Sequence, residues 1–265
     1  MKRLAMTLLT FMALTPTAYS EIVTENIAYK HGDVPLEGFL AYDDSIKGEK
    51  PGVLLVHEWW GLNDYVRERA KQIARLGYAA FALDMYGKGK VTKRPEQAKE
   101  WAQQLYNNME IWQQRAQAGL KVLQKNPAVD RSRVAAIGYC FGGSTVQMLA
   151  YSGADIKGVV SFHGSLIPPP AQPAIPVKAK VLILHGAADP LVTQEAMMKY
   201  IGDMENSGMD WQMIIFGGAK HGFTNPDADK AGMQVVGYNK EADRRSWEYM
   251  KVFFQEIFAP APNDS

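Results

Sequence analysis

The chain has 265 residues, 29 basic against 28 acidic side chains, and one cysteine, for a net charge of +1. That length suits a single α/β domain with a large core. The charge balance offers nothing to nucleic acid or another polyanion, and a single cysteine excludes an internal disulfide.

In chain order, the first twenty residues stand apart. Lys2 and Arg3 precede an apolar run over residues 4–14, and Ala18-Tyr19-Ser20 supplies small residues before a cut. This pattern predicts a secretory signal peptide over residues 1–20, with cleavage after Ser20 and a periplasmic or secreted mature protein over 21–265. The run is too short for a membrane span. A buried N-terminal helix is the competing reading.

The rest alternates short apolar strands with helical spacings. Residues 36–42 alternate as an antiparallel edge strand does, and 53–57 read as a buried strand. Residues 64–76 carry Tyr65, Ala70, Ile73 and Leu76 at helical spacing and stop at Gly77. A strand over 78–83 follows, then a long helical segment over 95–124 that breaks near Asn107-Asn108. Further strands are expected at 134–137, 158–162, 181–184 and 212–216, with helices at 144–151, 194–205 and 240–258. The proline-rich stretch 168–176 is a surface loop, either a connector or a roof over a site. Short buried strands separated by helices predict a mostly parallel central sheet covered by helices on both faces.

The chemistry centres on Gly138-Tyr139-Cys140-Phe141-Gly142-Gly143. A strand precedes it and a helix follows, which is the context of a nucleophile elbow with Cys where Ser is commoner. The glycines let strand and helix approach closely around a strained central residue. Read alone, Cys140 is equally a buried structural thiol. Two further residues follow in the order such a site needs. Asp189 sits on a loop after the strand 181–184, and His221 on the glycine-rich loop after 212–216. An imidazole takes the thiol proton and a carboxylate fixes its tautomer. Taken singly, Asp189 is a turn residue before Pro190 and His221 a solvated loop residue.

Upstream, the strand 53–57 runs into Glu58-Trp59-Trp60-Gly61. In this architecture the amides of Trp59 and Phe141 form an oxyanion hole. Glu58 is unusual there, because a carboxylate repels the developing charge. It has a role of its own, or it is an exposed loop acid. Trp59, Trp60 and Tyr86 are candidate pocket walls that favour a flat or apolar substrate, with core packing as the alternative. His57 and His163 end strands and are candidates to line the crevice. No pair of histidines shows metal-ligand spacing, and no glycine-rich phosphate loop occurs, so neither metal nor cofactor is expected.

Together, Glu58-x-x-Gly61, Leu83-Asp84-Met85-Tyr86, the Cys140 hexapeptide, Gly186-x-x-Asp189 and Gly218-x-x-His221-Gly222-Phe223 resemble the dienelactone hydrolases, from about residue 35 to residue 258. The resemblance implies a single-domain α/β-hydrolase fold with Cys140 as nucleophile, His221 as base and Asp189 as its orienter. It gives Glu58 the part of a glutamate that interacts with the thiol and helps generate thiolate when substrate binds. Two departures concern the substrate carboxylate, which the family holds with two arginines. Lys88 stands at one position, keeping the charge without the bidentate fork. Neutral Asn225 stands at the other. The expectation is a cofactor-free hydrolase of a small ester or lactone, working through a thioester acyl-enzyme, with the oligomeric state left open and a monomer favoured. The competing expectation is a pseudoenzyme that binds a carbonyl ligand without turnover. A redox role lacks a second cysteine.

Overall fold

The computed structural model describes residues 22–172 and 175–260. The stretch read as a signal peptide and the cut after Ser20 lie outside the described residues. A hairpin of β1 (Ile22–His31) and β2 (Val34–Asp43) opens the described chain, closed by a two-residue turn in which Gly32 has φ +58°. There follow β3 (Lys50–Val56), α1 (Asp64–Arg75), β4 (Ala79–Leu83), α2 (Pro95–Tyr106), α3 (Met109–Lys125), β5 (Val129–Tyr139) and α4 (Phe141–Tyr151). The chain continues through β6 (Gly158–Phe162), β7 (Lys180–Gly186), α5 (Gln194–Ser207), β8 (Trp211–Phe216), a 3₁₀ turn (Ala228–Ala231) and α6 (Lys240–Phe258).

The strands form one sheet in the order β1-β2-β4-β3-β5-β6-β7-β8. β2 runs antiparallel to both neighbours, and β3 to β8 are mutually parallel. The continuous apolar run of β3 has a plain cause. Leu54 and Val56 enter the core beneath α2 to α5, while Val53 and Leu55 enter the core beneath α1 and α6. A strand buried on both faces needs apolar residues at every position. One expectation is corrected here. Residues 36–42 are not an edge strand, because β2 lies between β1 and β4. The edge on this side is β1, which has no fully buried residue.

Helix ends follow the sequence. The Asn63, Thr193 and Asn239 side chains accept from the amides of Val66, Ala196 and Ala242, starting α1, α5 and α6. Such caps contribute about 1 kcal/mol each. The break at Asn107-Asn108 occurs as expected. Asn107 ends α2, and the Asn108 side chain accepts from Ile111 N at 3.1 Å to begin α3. The carboxyl ends of β3, β5, β7 and β8 all open on one rim, which gathers the site residues.

Candidate active site

The centre of the rim is the turn between β5 and α4. Cys140 occupies it with φ 55° and ψ −116°, a strained conformation for a residue with a side chain. Glycine is required on both sides. A Cβ on Gly138 would lie 2.0 Å from the Gly142 carbonyl oxygen, and one on Gly142 would lie 2.2 Å from the Val56 oxygen. The elbow is anchored by the Cys140 amide, which donates to Phe162 O at 3.0 Å and to His163 Nδ1 at 3.1 Å. Phe141 opens α4, so its amide has no intrahelical acceptor.

His221 Nδ1 donates to Asp189 Oδ2 at 2.8 Å, and both side chains are buried. Asp189 is fixed in turn, because its Oδ1 accepts from Leu191 N at 2.9 Å. With Nδ1 committed, the other ring nitrogen serves the Cys140 side, where the two side chains interact. Burial alone would lower the His221 pKa. The charges and hydrogen bonds of Cys140 and Asp189 outweigh it and push the imidazole up to about 10.

The β3 end supplies the opposite wall. His57 is buried, donating from Nδ1 to the Glu58 carbonyl and accepting the Met85 amide at Nε2, 3.2 Å away. That pins the backbone at the end of β3 beside Trp59. The Glu58 carboxyl is itself buried, which pushes its pKa up to about 7. The Asn225 Nδ2 donor at 2.7 Å and the His221 and Arg69 charges only partly oppose this.

Glu58, Trp59, Trp60, Cys140, His221 and Asn225 line one cavity of about 360 Å³. Its outer wall comprises Tyr65, Leu191, Ala228, Met233 and Val236, with Asp64, Lys93, Asp227 and Lys230 also lining it. Lys230 is paired with Asp227 at 2.7 Å. Several expected pocket residues lie elsewhere. Tyr86 is buried in the core, with its ring 4.9 Å from His57 and 5.6 Å from Phe141. Lys88 turns away from the cavity to pair with Glu37 at 2.9 Å, its side chain 58% exposed. The cause is Asp84, whose carboxylate gathers the amides of Tyr86, Gly87 and Glu37 and folds this turn onto β2. The cations that reach the cavity are instead Lys230 and Lys93, the latter carried back by the bond from Thr92 N to Trp60 O at 3.0 Å. His57 and His163 are buried and do not line the cavity. The proline-rich loop does not roof it either. Pro170, Ala171, Pro176 and Val177 line a separate cavity of about 240 Å³ against Ser207 to Met209.

Among the described residues, no group of three or more His, Cys, Asp or Glu side chains is placed to hold a metal ion. No described helix is long and apolar enough to cross a membrane.

A sequence profile of the dienelactone hydrolase family matches residues 36–258. The chain belongs to the dienelactone hydrolase family, and its fold is the α/β-hydrolase fold. This protein is a hydrolase. Among solved structures it is 39% identical to a dienelactone hydrolase-like promiscuous phosphotriesterase, P91, from metagenomic libraries, with a TM-score of 0.86 over 90% of this chain and 99% of that one. It shares the fold of a dienelactone hydrolase from Anabaena variabilis at 20% identity and a TM-score of 0.60, over 87% of this chain and 98% of the other. Among curated relatives, it is 25% identical to the Saccharolobus solfataricus protein named "Putative carboxymethylenebutenolidase", over 88% of this chain and 98% of that protein.

Proposed function

We propose that this hydrolase cleaves a neutral carboxylic ester or lactone with Cys140 as nucleophile, His221 as general base and Asp189 as its orienter. The observation that carries the reading is the order of contacts at one cavity. Asp189 binds the far nitrogen of His221, and His221 interacts with the half-buried thiol at the head of α4. In the first half-reaction the Cys140 thiolate attacks the ester carbonyl, and the oxyanion falls to the Phe141 and Trp59 amides. His221 delivers the former thiol proton to the departing alkoxide. Water, deprotonated by the same imidazole, then attacks the thioester, releases the acid and restores the thiol. One oxyanion donor is worth about 2.7–4 kcal/mol of barrier.

Glu58 shapes the resting state. Glu58 lines the same cavity as Cys140, held by Asn225, and its buried carboxyl is the group that would interact with the thiol when substrate arrives. The substrate class follows from the cations. Lys88 is occupied by Glu37 outside the cavity, and Asn225 is neutral and spent on Glu58. The cations that do line the cavity, Lys93 and Lys230, are exposed and Lys230 is paired with Asp227, while Trp59, Trp60 and Tyr65 offer flat apolar walls.

The test is turnover of 4-nitrophenyl butyrate by the wild type and by Cys140→Ala, each checked for native circular dichroism. The wild type releases nitrophenol continuously, and the alanine variant stays folded and inert. Wild-type turnover surviving in Cys140→Ala sinks the assignment. The 39% identity to P91 favours a second reading, slower cleavage of phosphotriesters by the same thiolate. There the thiolate displaces an alcohol from phosphorus, and water then regenerates it.

Residues 1–20 are proposed to direct export, leaving a periplasmic or secreted enzyme. N-terminal sequencing of the protein made in a bacterial host, beginning at Glu21 in the exported fraction, supports this; protein confined to the cytoplasm with Met1 intact overturns it.

A further inference from the structure

Thr224 lies three residues beyond His221 and is fully buried. Its hydroxyl is held twice. His163 Nε2 meets it at 2.7 Å and the Tyr65 hydroxyl at 2.6 Å. Its carbonyl accepts from Arg69 Nη2 at 2.7 Å, and the same nitrogen donates to Asp243 Oδ1 at 2.5 Å. On the far side, His163 Nδ1 accepts the amide of Cys140. These partners fix the His163 tautomer. Nδ1 accepts, so Nε2 carries the hydrogen and donates to Thr224.

His163 reaches this place through a backbone conformation that few residues adopt. It has φ 41°, one of two positive values among non-glycine described residues, the other being Cys140 itself. The turned ring stands edge-on to His221 at 5.4 Å and to Phe223 at 5.1 Å. Strain of this kind persists where surrounding contacts over-determine it. The ring is buried and lines no cavity, so substrate does not touch it.

We propose that His163 and Thr224 are positioning residues that clamp the nucleophile's backbone amide to the loop carrying the general base, setting the distance between Cys140 and His221. One ring spans the two strands' loops. Its first nitrogen fixes the elbow, and its second fixes the segment His221 to Asn225 through Thr224. The Thr224 carbonyl, tied to Arg69, keeps that segment from sliding. Because Asn225 follows directly and binds Glu58, the clamp also sets where the Glu58 carboxyl sits. The inference rests on the reading of Cys140 and His221 as nucleophile and base.

Three substitutions test it. Thr224→Val keeps the shape and removes the hydroxyl. His163→Asn suits a positive φ and offers an oxygen to the Cys140 amide, but is too short to reach Thr224. Thr224→Ser restores the hydroxyl. Misplacement of reacting groups by an ångström costs on the order of a hundredfold. Thr224→Val and His163→Asn are each expected to lower kcat for 4-nitrophenyl butyrate by at least about tenfold, with KM little changed. The double variant should lose no more than the worse single, since both cut one link. Thr224→Ser should regain nearly all of kcat. All are assayed well below their melting temperatures. Full kcat in Thr224→Val, or multiplied losses in the double variant, overturns the clamp. Turnover persisting in Cys140→Ala would overturn the triad reading instead, so the two failures are distinguishable.

Discussion

Replacing Glu58 by Gln should make the protein more stable and a poorer catalyst. Burial raises this carboxyl from its ordinary 4.5 to about 7. The folded state therefore holds a proton that the unfolded chain releases between those values. Stability attached to this group is present below pH 4.5 and declines as pH rises toward 7. Above pH 7 the buried carboxylate costs the folded state about 3 kcal/mol, at about 1.4 kcal/mol per tenfold in proton affinity. Glutamine removes the charge and keeps an oxygen for the Asn225 donor, whose bond is 2.7 Å long. At pH 8, Glu58→Gln should unfold in urea with about 3 kcal/mol more stability than wild type, or melt roughly 6–12 °C higher for a domain of this size. At pH 4 the two should coincide. Turnover of 4-nitrophenyl butyrate should fall in the same variant if Glu58 has the proposed part in generating the thiolate when substrate binds. Equal stability at pH 8, or a gain that persists unchanged at pH 4, would show that burial does not tax this carboxylate.

Asp189→Asn should fold and lose on the order of a thousandfold or more in kcat, since an amide facing His221 Nδ1 imposes the wrong tautomer; a loss under tenfold argues against Asp189 as orienter. Lys88→Ala should leave kcat/KM for neutral and acidic esters alike within about twofold, because its partner Glu37 lies outside the cavity and exposed pairs contribute little. A raised KM for acidic esters alone would place Lys88 at the substrate. Gly142→Ala should yield little soluble protein, as its methyl would meet the Val56 oxygen at 2.2 Å and force β3 from the elbow; a native melting curve refutes that.

Much of the site was readable because local sequence dictates it. The elbow needs glycines at 138 and 142, and both close approaches occur. Asp189 follows β7, whose apolar run is buried, and His221 follows the part-buried edge strand β8, and the structure joins them at 2.8 Å. What stayed hidden depends on contacts distant in sequence. The direction of Lys88 is set by Asp84 reaching the Glu37 amide, 47 residues away. Asn225 does line the cavity, but its bond to Glu58 spans 167 residues and no local pattern announces it. Thr224 meets His163 across 61 residues and Arg69 across 155, and no periodicity announces either. β1 was missed for another reason. An edge strand half in water needs no apolar pattern, and its partner β2 was therefore mistaken for the edge.

The most direct test of the central claim is mass spectrometry of the enzyme quenched in acid during turnover of a slowly deacylated 4-nitrophenyl ester. Acylation at the elbow should give a population heavier by one acyl group, with the added mass on the peptide that contains Cys140, absent from Cys140→Ala and lost as turnover completes. An active enzyme that never carries the acyl mass, or carries it on a peptide without Cys140, contradicts the account.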